Sequence, residues 1–480
     1  MLSRPVRSNK VHNGDWAAHM CDACPWRCPR ALNVATDCSG AAAPELGWKK
    51  LMQESNGPDA RHVFACDLSP VCRKWLREHV QPEVIFEDLT HRTFRAGCVR
   101  GQAEVQNLSE TTANSEPSLT SIHAQSAGPV DLYVAGFPCT PFSEKGRREG
   151  WGDEASQTFF GVVRTISVLR PRAVILENVP GIIKTGCIRE VLRALRVING
   201  YTIRVRLLNT SDYFLPQQRR RVYIVMFRTD ALHADPQTSH DNVDRILQAC
   251  KSRSVKPFWD WLHAESDPII VQTQETQLTS ETRCECGVGK ICPVHPCYCK
   301  KCRPGAKSKY CAWRTEIAHF LLRPRNHVRT REYLQQWRQV RKDKHLKAAP
   351  TYFQLGAKLK LSTHSMAKTQ RERNILIALS KLENLMNKQI VLDLSQSVSR
   401  VSLRRDGLVP TLTTDCSKIC VPRASTFLTT RQCLRLQGFH PSMVNTRGYT
   451  DDELFRLAGN AMSVPVIAAV MWAVMQQVRL

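Results

Sequence analysis

The chain lacks any apolar run long enough to cross a bilayer. Its longest, Val464 to Met475, is about half of the ~20 residues that such a helix needs. No membrane segment is expected. The opening stretch, MLSRPVRSNKVHNGDW, has no apolar core behind its basic residues and does not read as a secretory signal. Without export, the 20 cysteines read as thiols, metal ligands or a nucleophile rather than as disulfides. Acid is also scarce. Asp plus Glu number 43 against 68 Lys plus Arg, a net charge of +25, which argues against an acidic metabolite and for a polyanion, nucleic acid first. No internal repeat is found. What is present is 480 residues at 42% hydrophobic, enough for a sizeable core and two or three domains.

Charge and cysteine are unevenly placed. Residues 281 to 360 hold 19 Lys/Arg against 5 Asp/Glu, so one sixth of the length carries +14. Seven cysteines fall between Cys284 and Cys311, and three between Cys21 and Cys28. The hydrophobic pattern divides the chain in the same way. Strands are expected at Leu32 to Thr36, His62 to Cys66, Glu83 to Phe86, Asp131 to Ala135, Ala173 to Leu176, Ile203 to Leu208 and Val222 to Phe227. Helices are expected at Phe159 to Leu169 and Val191 to Ile198. This alternation predicts an α/β fold with a mostly parallel sheet covered on both faces, its ligands outside the carboxyl ends of the strands. Asp37, Asp67, Asp88, Cys139 and Glu177 all follow strands. The polar segment from Gly101 to Pro129 reads as a surface loop or disordered insertion. After about residue 230 the alternation stops. A helix is expected from Met366 to Met386, and Ser463 with Pro465 reads as a cap and first-turn proline opening a last helix through Met475.

Five strings carry the chemistry. Gly136-Phe137-Pro138-Cys139-Thr140-Pro141 follows a strand, where a helix N-terminus or neighbouring cations would favour a cysteine thiolate. Glu177-Asn178-Val179 follows the next strand, which aims its carboxylate at the same crevice. Gln217-Gln218-Arg219-Arg220-Arg221 enters a further strand, with Arg219 and Arg221 on one face by alternation. Arg435-Leu436-Gln437-Gly438-Phe439 and Gly459-Asn460-Ala461-Met462-Ser463-Val464-Pro465 lie near the C-terminus.

In this order the strings resemble those of the DNA cytosine-5 methyltransferase family, over about residues 31 to 230 and 400 to 480. The resemblance implies a Rossmann-like S-adenosylmethionine-dependent core with an inserted, Cys-rich basic target-recognition domain. Its divisions would be a Cys-containing extension at 1–30, a catalytic and cofactor-binding domain at 31–230, the recognition domain at 231–400 and a return to the catalytic domain at 401–480. It implies that Cys139 adds to carbon 6 of a flipped-out cytosine, that Glu177 in a dry pocket supplies a proton or hydrogen bond at ring nitrogen 3, and that Arg219 and Arg221 hold the base and its phosphate. S-adenosyl-L-methionine would be held by Asp37, Ser39 and Gly40 of the first turn, by Asp67 at the ribose, by Asp88 at the adenine amino group, and by Pro138 and Asn460. The first turn, Asp37-Cys38-Ser39-Gly40-Ala41-Ala42-Ala43, departs from the family in having alanines where two glycines fall. An alanine is tolerated there only if the backbone does not need a positive φ or a very close cofactor contact.

Cys284, Cys286, Cys292, His295, Cys297, Cys299, Cys302 and Cys311 offer eight soft ligands in 28 residues, enough for one or two structural zinc sites. The segment Arg323 to Lys347 interleaves cations with Tyr333 and Trp337, a pattern suited to phosphate contacts. The expected activity is methylation of cytosine carbon 5 in DNA, in the nucleus of a eukaryote or at the nucleoid of a bacterium. Two alternatives stay open: methylation of transfer RNA, and a catalytically inactive nucleic-acid-binding regulatory protein.

Overall fold

The computed structural model describes residues 15–90, 130–138, 154–252, 255–264, 372, 387, 389–395, 402–422 and 426–480. The polar segment 101–129, the basic stretch 323–347, the eight proposed zinc ligands and nearly all of the expected helix 366–386 lie outside the described residues. Two compact units are present, residues 1–255 with 434–480, and residues 256–433. Both boundaries fall about 25 to 35 residues beyond the 230/231 and 400/401 divisions expected from the sequence. The reason is hydrophobic. A helix at Pro236–Ala249 buries Val243, Ile246 and Leu247 within the first unit, whereas strands at 402–421 pair within the second.

The first unit is built on seven strands: β1 (Asn33–Asp37), β2 (Arg61–Cys66), β3 (Val84–Phe86), β4 (Leu132–Ala135), β5 (Ala173–Asn178), β6 (Tyr201–Asn209) and β7 (Arg220–Arg228), in the order β3-β2-β1-β4-β5-β7-β6. The first five run parallel, and β7 is antiparallel to both β5 and β6. β1 and β4 are buried along their whole length, as strands covered on both faces must be. Helices α1 (Trp16–Ala23), α2 (Ala43–Ser55), α3 (Pro70–His79), α4 (Glu154–Leu169), α5 (Ile188–Arg196), α6 (Pro236–Ala249), α7 (Asp451–Asn460) and α8 (Val464–Met475) accompany it. Local chemistry sets their ends. Ser69 caps α3 by accepting from Cys72 N–H, with Pro70 in the first turn, and Thr450 with Glu453 forms a capping box on α7. Strand Ala173–Asn178 reaches two residues further than expected, so Glu177 and Asn178 are the last residues of the strand rather than the first after it.

All twelve residues of α8 are buried. The span Asp451–Met475 has the length and composition of a membrane-crossing helix, yet 89% of its window is buried inside the protein, and α7 and α8 are separate helices. Trp472 of α8 packs edge-on against Trp26, with ring centroids 5.1 Å apart, and donates its indole N–H to the Cys24 carbonyl at 3.1 Å. The N-terminal extension is thereby part of the core. Ser463 precedes α8 but does not cap it. Its hydroxyl is instead 2.6 Å from Thr210 Oγ1 and donates to Gln437 Oε1 at 3.3 Å.

The second unit, as far as it is described, has an antiparallel sheet of β8 (Val391–Asp393), β9 (Ser402–Arg404), β10 (Ile419–Val421) and β11 (Thr426–Phe427), ordered β11-β10-β8-β9. Glu372, fully buried, pairs with Lys418 at 3.1 Å.

At the amino edge of the large sheet, Asp131 is wholly buried and accepts from both terminal nitrogens of Arg30 at 2.7 Å and from Asn33 N–H at 2.9 Å, while Arg172 Nε lies 3.0 Å away. One carboxylate thus joins the extension, β1, β4 and the entry to β5. Asp131→Ala should cost about 3 kcal/mol, because it leaves two guanidinium groups and a buried N–H without their acceptor. The check is the urea midpoint of unfolding, and a loss under about 1 kcal/mol would show that water replaces the clamp.

Candidate active site

The carboxyl ends of β1, β2, β4 and β5 and the start of β7 lie along one edge of the sheet, where the ligand crevice is expected. Gly136 follows β4 at this edge. A Cβ built there would meet Met462 Cε at 2.8 Å, and would lie 3.7 Å from Glu177 Oε2 and 3.8 Å from the Cys38 carbonyl oxygen. A side chain there would have to displace the flexible end of Met462, while the other two contacts are ordinary van der Waals distances. Pro138 is exposed at the mouth, and Cys139 lies outside the described residues. What holds the loop that leads to Cys139 is visible. Asn178, buried at the end of β5, donates Nδ2–H to the Phe137 carbonyl at 3.1 Å and accepts from Val179 N–H at 2.8 Å.

Glu177 and Arg221 face each other across the β5–β7 pair. Arg221 Nε is 3.0 Å from Glu177 Oε1, with side chains 14% and 13% exposed. Glu177 therefore sits in an ion pair rather than alone in a dry pocket, the setting expected from the sequence. The two arginines, expected to share one face and one task, are divided. Arg219 is buried and its Nη2 donates to the Ala461 carbonyl at 2.7 Å and to that of Gly459 at 3.4 Å, the residues on either side of Asn460. Arg219 thus positions the return segment, whereas Arg221 faces the crevice. Asn460 itself is exposed.

Two glutamines of the chemical strings, Gln217 and Gln437, are structural. Gln217, fully buried, donates Nε2–H to the Leu436 carbonyl at 2.8 Å, and Gln437, also fully buried, donates to the Ala458 carbonyl at 2.6 Å. For Gln437 the signal was a glutamine between Leu436 and Phe439, whereas Gln217 lies in the polar string Gln217-Gln218-Arg219-Arg220-Arg221, which carries no such signal. Gly438 has a φ of +94°, and a Cβ there would strike Pro465 at 2.5 Å, so the glycine lets this turn pack on α8.

The first turn combines cofactor candidates with internal bonds. Asp37 is buried and accepts from the Tyr133 hydroxyl at 2.5 Å, and Ser39 Oγ donates to the Cys66 carbonyl at 3.2 Å. Both are occupied within the protein. Gly40 has a φ of +54°, and among the described residues a Cβ on it would find only the Cys38 carbonyl, 4.0 Å away, so these residues leave space above the turn. Gly40 N–H donates to Asp67 Oδ2 at 2.8 Å, and Ser69 N–H donates to Asp67 Oδ1 at 2.9 Å. Burial pushes the Asp67 carboxyl above its usual range, against these two bonds. Asp88 accepts from the amide and the hydroxyl of Thr90, both at 2.7 Å. A backbone at positive φ opening into free space, flanked by carboxylates at the ends of β2 and β3, fits a nucleoside-bearing cofactor such as S-adenosylmethionine. Among the described residues no group of three or more His, Cys, Asp or Glu could hold a metal ion.

One of the three alanines, Ala42, does adopt a positive φ. Ala42 has a φ of +59° and Cys38 a φ of +50°, the left-handed region in which a side chain costs about 1–2 kcal/mol. Ala42→Gly should therefore stabilise the protein by about 0.5–1 kcal/mol, after the added freedom of glycine in the unfolded chain is discounted. Thermal unfolding of the two proteins compares them directly, and a lower melting temperature in the glycine variant would contradict the strained backbone.

The sequence profile described as C-5 cytosine-specific DNA methylase matches residues 106–476. Type II methyltransferase M.DsaV of Dactylococcopsis salina is 38% identical over 113 residues, 23% of this chain and 32% of its own length. M.HaeII of Haemophilus aegyptius is 36% identical over 128 residues, 25% and 39% of the two chains, and M.HhaI of Haemophilus parahaemolyticus is 32% identical over 117 residues, 24% and 36%. The chain spans about a third of the length of these curated relatives. Matched by the profile over most of its length, it belongs to the C-5 cytosine-specific DNA methylase family.

Proposed function

We propose that this protein transfers the methyl group of S-adenosylmethionine to carbon 5 of cytosine in DNA. The observation that carries the reading is the Glu177–Arg221 pair at the carboxyl edge of β5 and β7, beside the glycine that leads to Pro138 and Cys139. Carbon 5 of cytosine is a weak nucleophile until something adds at carbon 6. The Cys139 thiolate would form that carbon–sulfur bond and turn the ring into an enamine, with Glu177 supplying a proton or hydrogen bond at nitrogen 3. Arg221, already paired with Glu177, would orient that carboxyl and contact the base. When the carbon 5 proton leaves, the sulfur departs and the product is released. The target must leave the base stack, at a cost of about a few kcal/mol. When bound, S-adenosylmethionine supplies the electrophilic methyl group. Asp67 and Asp88 would hold its ribose and adenine, Gly40 would leave room for it, and Pro138 and Asn460 would border it. Asp37 and Ser39 support the turn from beneath.

The basic excess in 281–360 supports DNA as the partner, and a nuclear or nucleoid location goes with that substrate. The eight soft ligands from Cys284 to Cys311 are read as holding structural zinc, on their number and spacing.

Two measurements test these readings. Labelled methyl groups offered with duplex DNA and, separately, transfer RNA should appear in DNA. Cys139→Ala should abolish the label, and Glu177→Gln should reduce it by about a hundred- to ten-thousand-fold. Label in RNA alone would overturn the substrate, and label that survives in Cys139→Ala would overturn the mechanism. Metal analysis of the full chain should find one or two zinc ions, lost when Cys297 and Cys299 are changed to Ser. A metal-free chain that remains folded would remove zinc from the account.

A further inference from the structure

Beneath the first turn lies a carboxyl group that the proposed reaction does not use. Glu45, in the first turn of α2, is 2% exposed. Its Oε1 lies 2.7 Å from Thr36 Oγ1. That oxygen is 2.8 Å from Ser39 Oγ, which is in turn 3.2 Å from the Cys66 carbonyl oxygen. The second carboxyl oxygen, Oε2, has no hydrogen-bond partner among the described residues. The relay runs from α2 through β1 and the first turn to the end of β2, where the next residue, Asp67, accepts from Gly40.

The proton count and the unpartnered Oε2 both bear on the state of Glu45. Three oxygen-to-oxygen contacts in series need three hydrogens. Thr36 and Ser39 bring one each, and the Cys66 carbonyl brings none. With an ionised Glu45, Thr36 donates to the carboxylate and Ser39 donates to Thr36; the Ser39 Oγ contact to the Cys66 carbonyl then has no hydrogen, that carbonyl still accepts from Ser39 N–H at 3.0 Å, and Oε2 is a buried carboxylate oxygen without a donor among the described residues. With a protonated Glu45 all three are satisfied in one direction: Glu45 donates to Thr36, Thr36 to Ser39, and Ser39 to Cys66. The Cys66 N–H, 3.2 Å from Ser39 Oγ, is accepted there in either case.

We propose that Glu45 is carried as a neutral carboxylic acid whose proton completes this relay, making it a positioning residue for the first turn. Its surroundings agree. Burial pushes the carboxyl up to about 7, opposed only by the bond to Thr36 and one to its own backbone, with no neighbouring charge acting on it. The elements near it offer none suited to the task. α8, packed on α2, has no titratable residue, and Asp37 of β1 is engaged by Tyr133. On α1, Asp15 caps the helix and pairs with Lys50 of α2, while Cys66 of β2 is a buried thiol. The consequence for cofactor binding rests on the reading of this turn as the S-adenosylmethionine site. The turn holds its shape while Glu45 is protonated and loosens as the pH rises past about 7.

The test begins with the cofactor-free protein. A carboxyl whose proton is held more tightly in the folded state than in the unfolded chain adds stability that is complete below the unfolded value of 4.5 and is lost as the pH climbs to about 7. Unfolding midpoints should therefore fall over that range in the wild type relative to Glu45→Gln. The amide of that variant donates to Thr36 without titrating. Parallel pH profiles would overturn the proposal. Should Glu45→Gln fail to fold, the infrared difference spectrum of the wild type between pH 6 and 8.5 still decides, since a protonated-carboxyl band must be present at pH 6 and its absence overturns the proposal. Calorimetric titration with S-adenosylmethionine should then show affinity falling by as much as about thirtyfold from pH 6 to 8.5, the ratio of protonated fractions, in the wild type but not in Glu45→Gln. If the wild type binds no cofactor at either pH, the reading of the site fails, while the cofactor-free measurements still judge Glu45.

Discussion

The candidate site depends on a return of the chain. Residues 434–480 complete a unit whose sheet is formed by residues before 230, and they are held there by buried side chains donating to backbone carbonyls. Gln217 binds the Leu436 carbonyl, Arg219 that of Ala461, and Gln437 that of Ala458. Each such bond adds about 1 kcal/mol, or about twice that where an arginine donates, and each carbonyl would cost more if it were buried unpaired. Together with the fully apolar α8, they bring Met462 to the glycine after β4 and Asn460 to the rim of the crevice. Without this docking, the sheet would present its carboxyl edge with no wall on that side.

The same economy of buried polar groups governs the first turn. Asp37, Ser39, Thr36 and Glu45 look from their positions like ligands for a cofactor, yet their side chains bond to one another or to neighbouring strands. Above Gly40 there is space among the described residues, beside the carboxylates of Asp67 and Asp88, which already accept from backbone amides. The left-handed conformation of Ala42 is the cost of entering α2 directly from so tight a turn. A strained backbone braced by a buried relay is a rigid cradle, which is what a site needs when its task is to hold a reactive group in place.

Much of this was legible in the residues. The strands were expected within one or two positions of where they lie, because runs such as DLYVA and VYIVMF are local signals that need no partner to be read. The placement of Glu177 and Gly136 at the ends of adjacent parallel strands was legible too. The domain boundaries were less so. Helix Pro236–Ala249 carries its apolar face at helical spacing, but nothing local says which unit will cover it, and the burial of Val243, Ile246 and Leu247 answers that in favour of the first.

The sequence by itself determined the α/β class, the order of the chemical strings and the family they resemble, because periodicity, turn chemistry and residue type are properties of short stretches. Only the tertiary structure decided what each polar group does. It separated Arg219, tied to carbonyls, from Arg221, paired with Glu177, and it made Asp131 a clamp and buried Glu45 against Thr36. The physical reason is that, away from water, every donor must find an acceptor, and which ones meet depends on residues hundreds of positions apart sharing one buried volume.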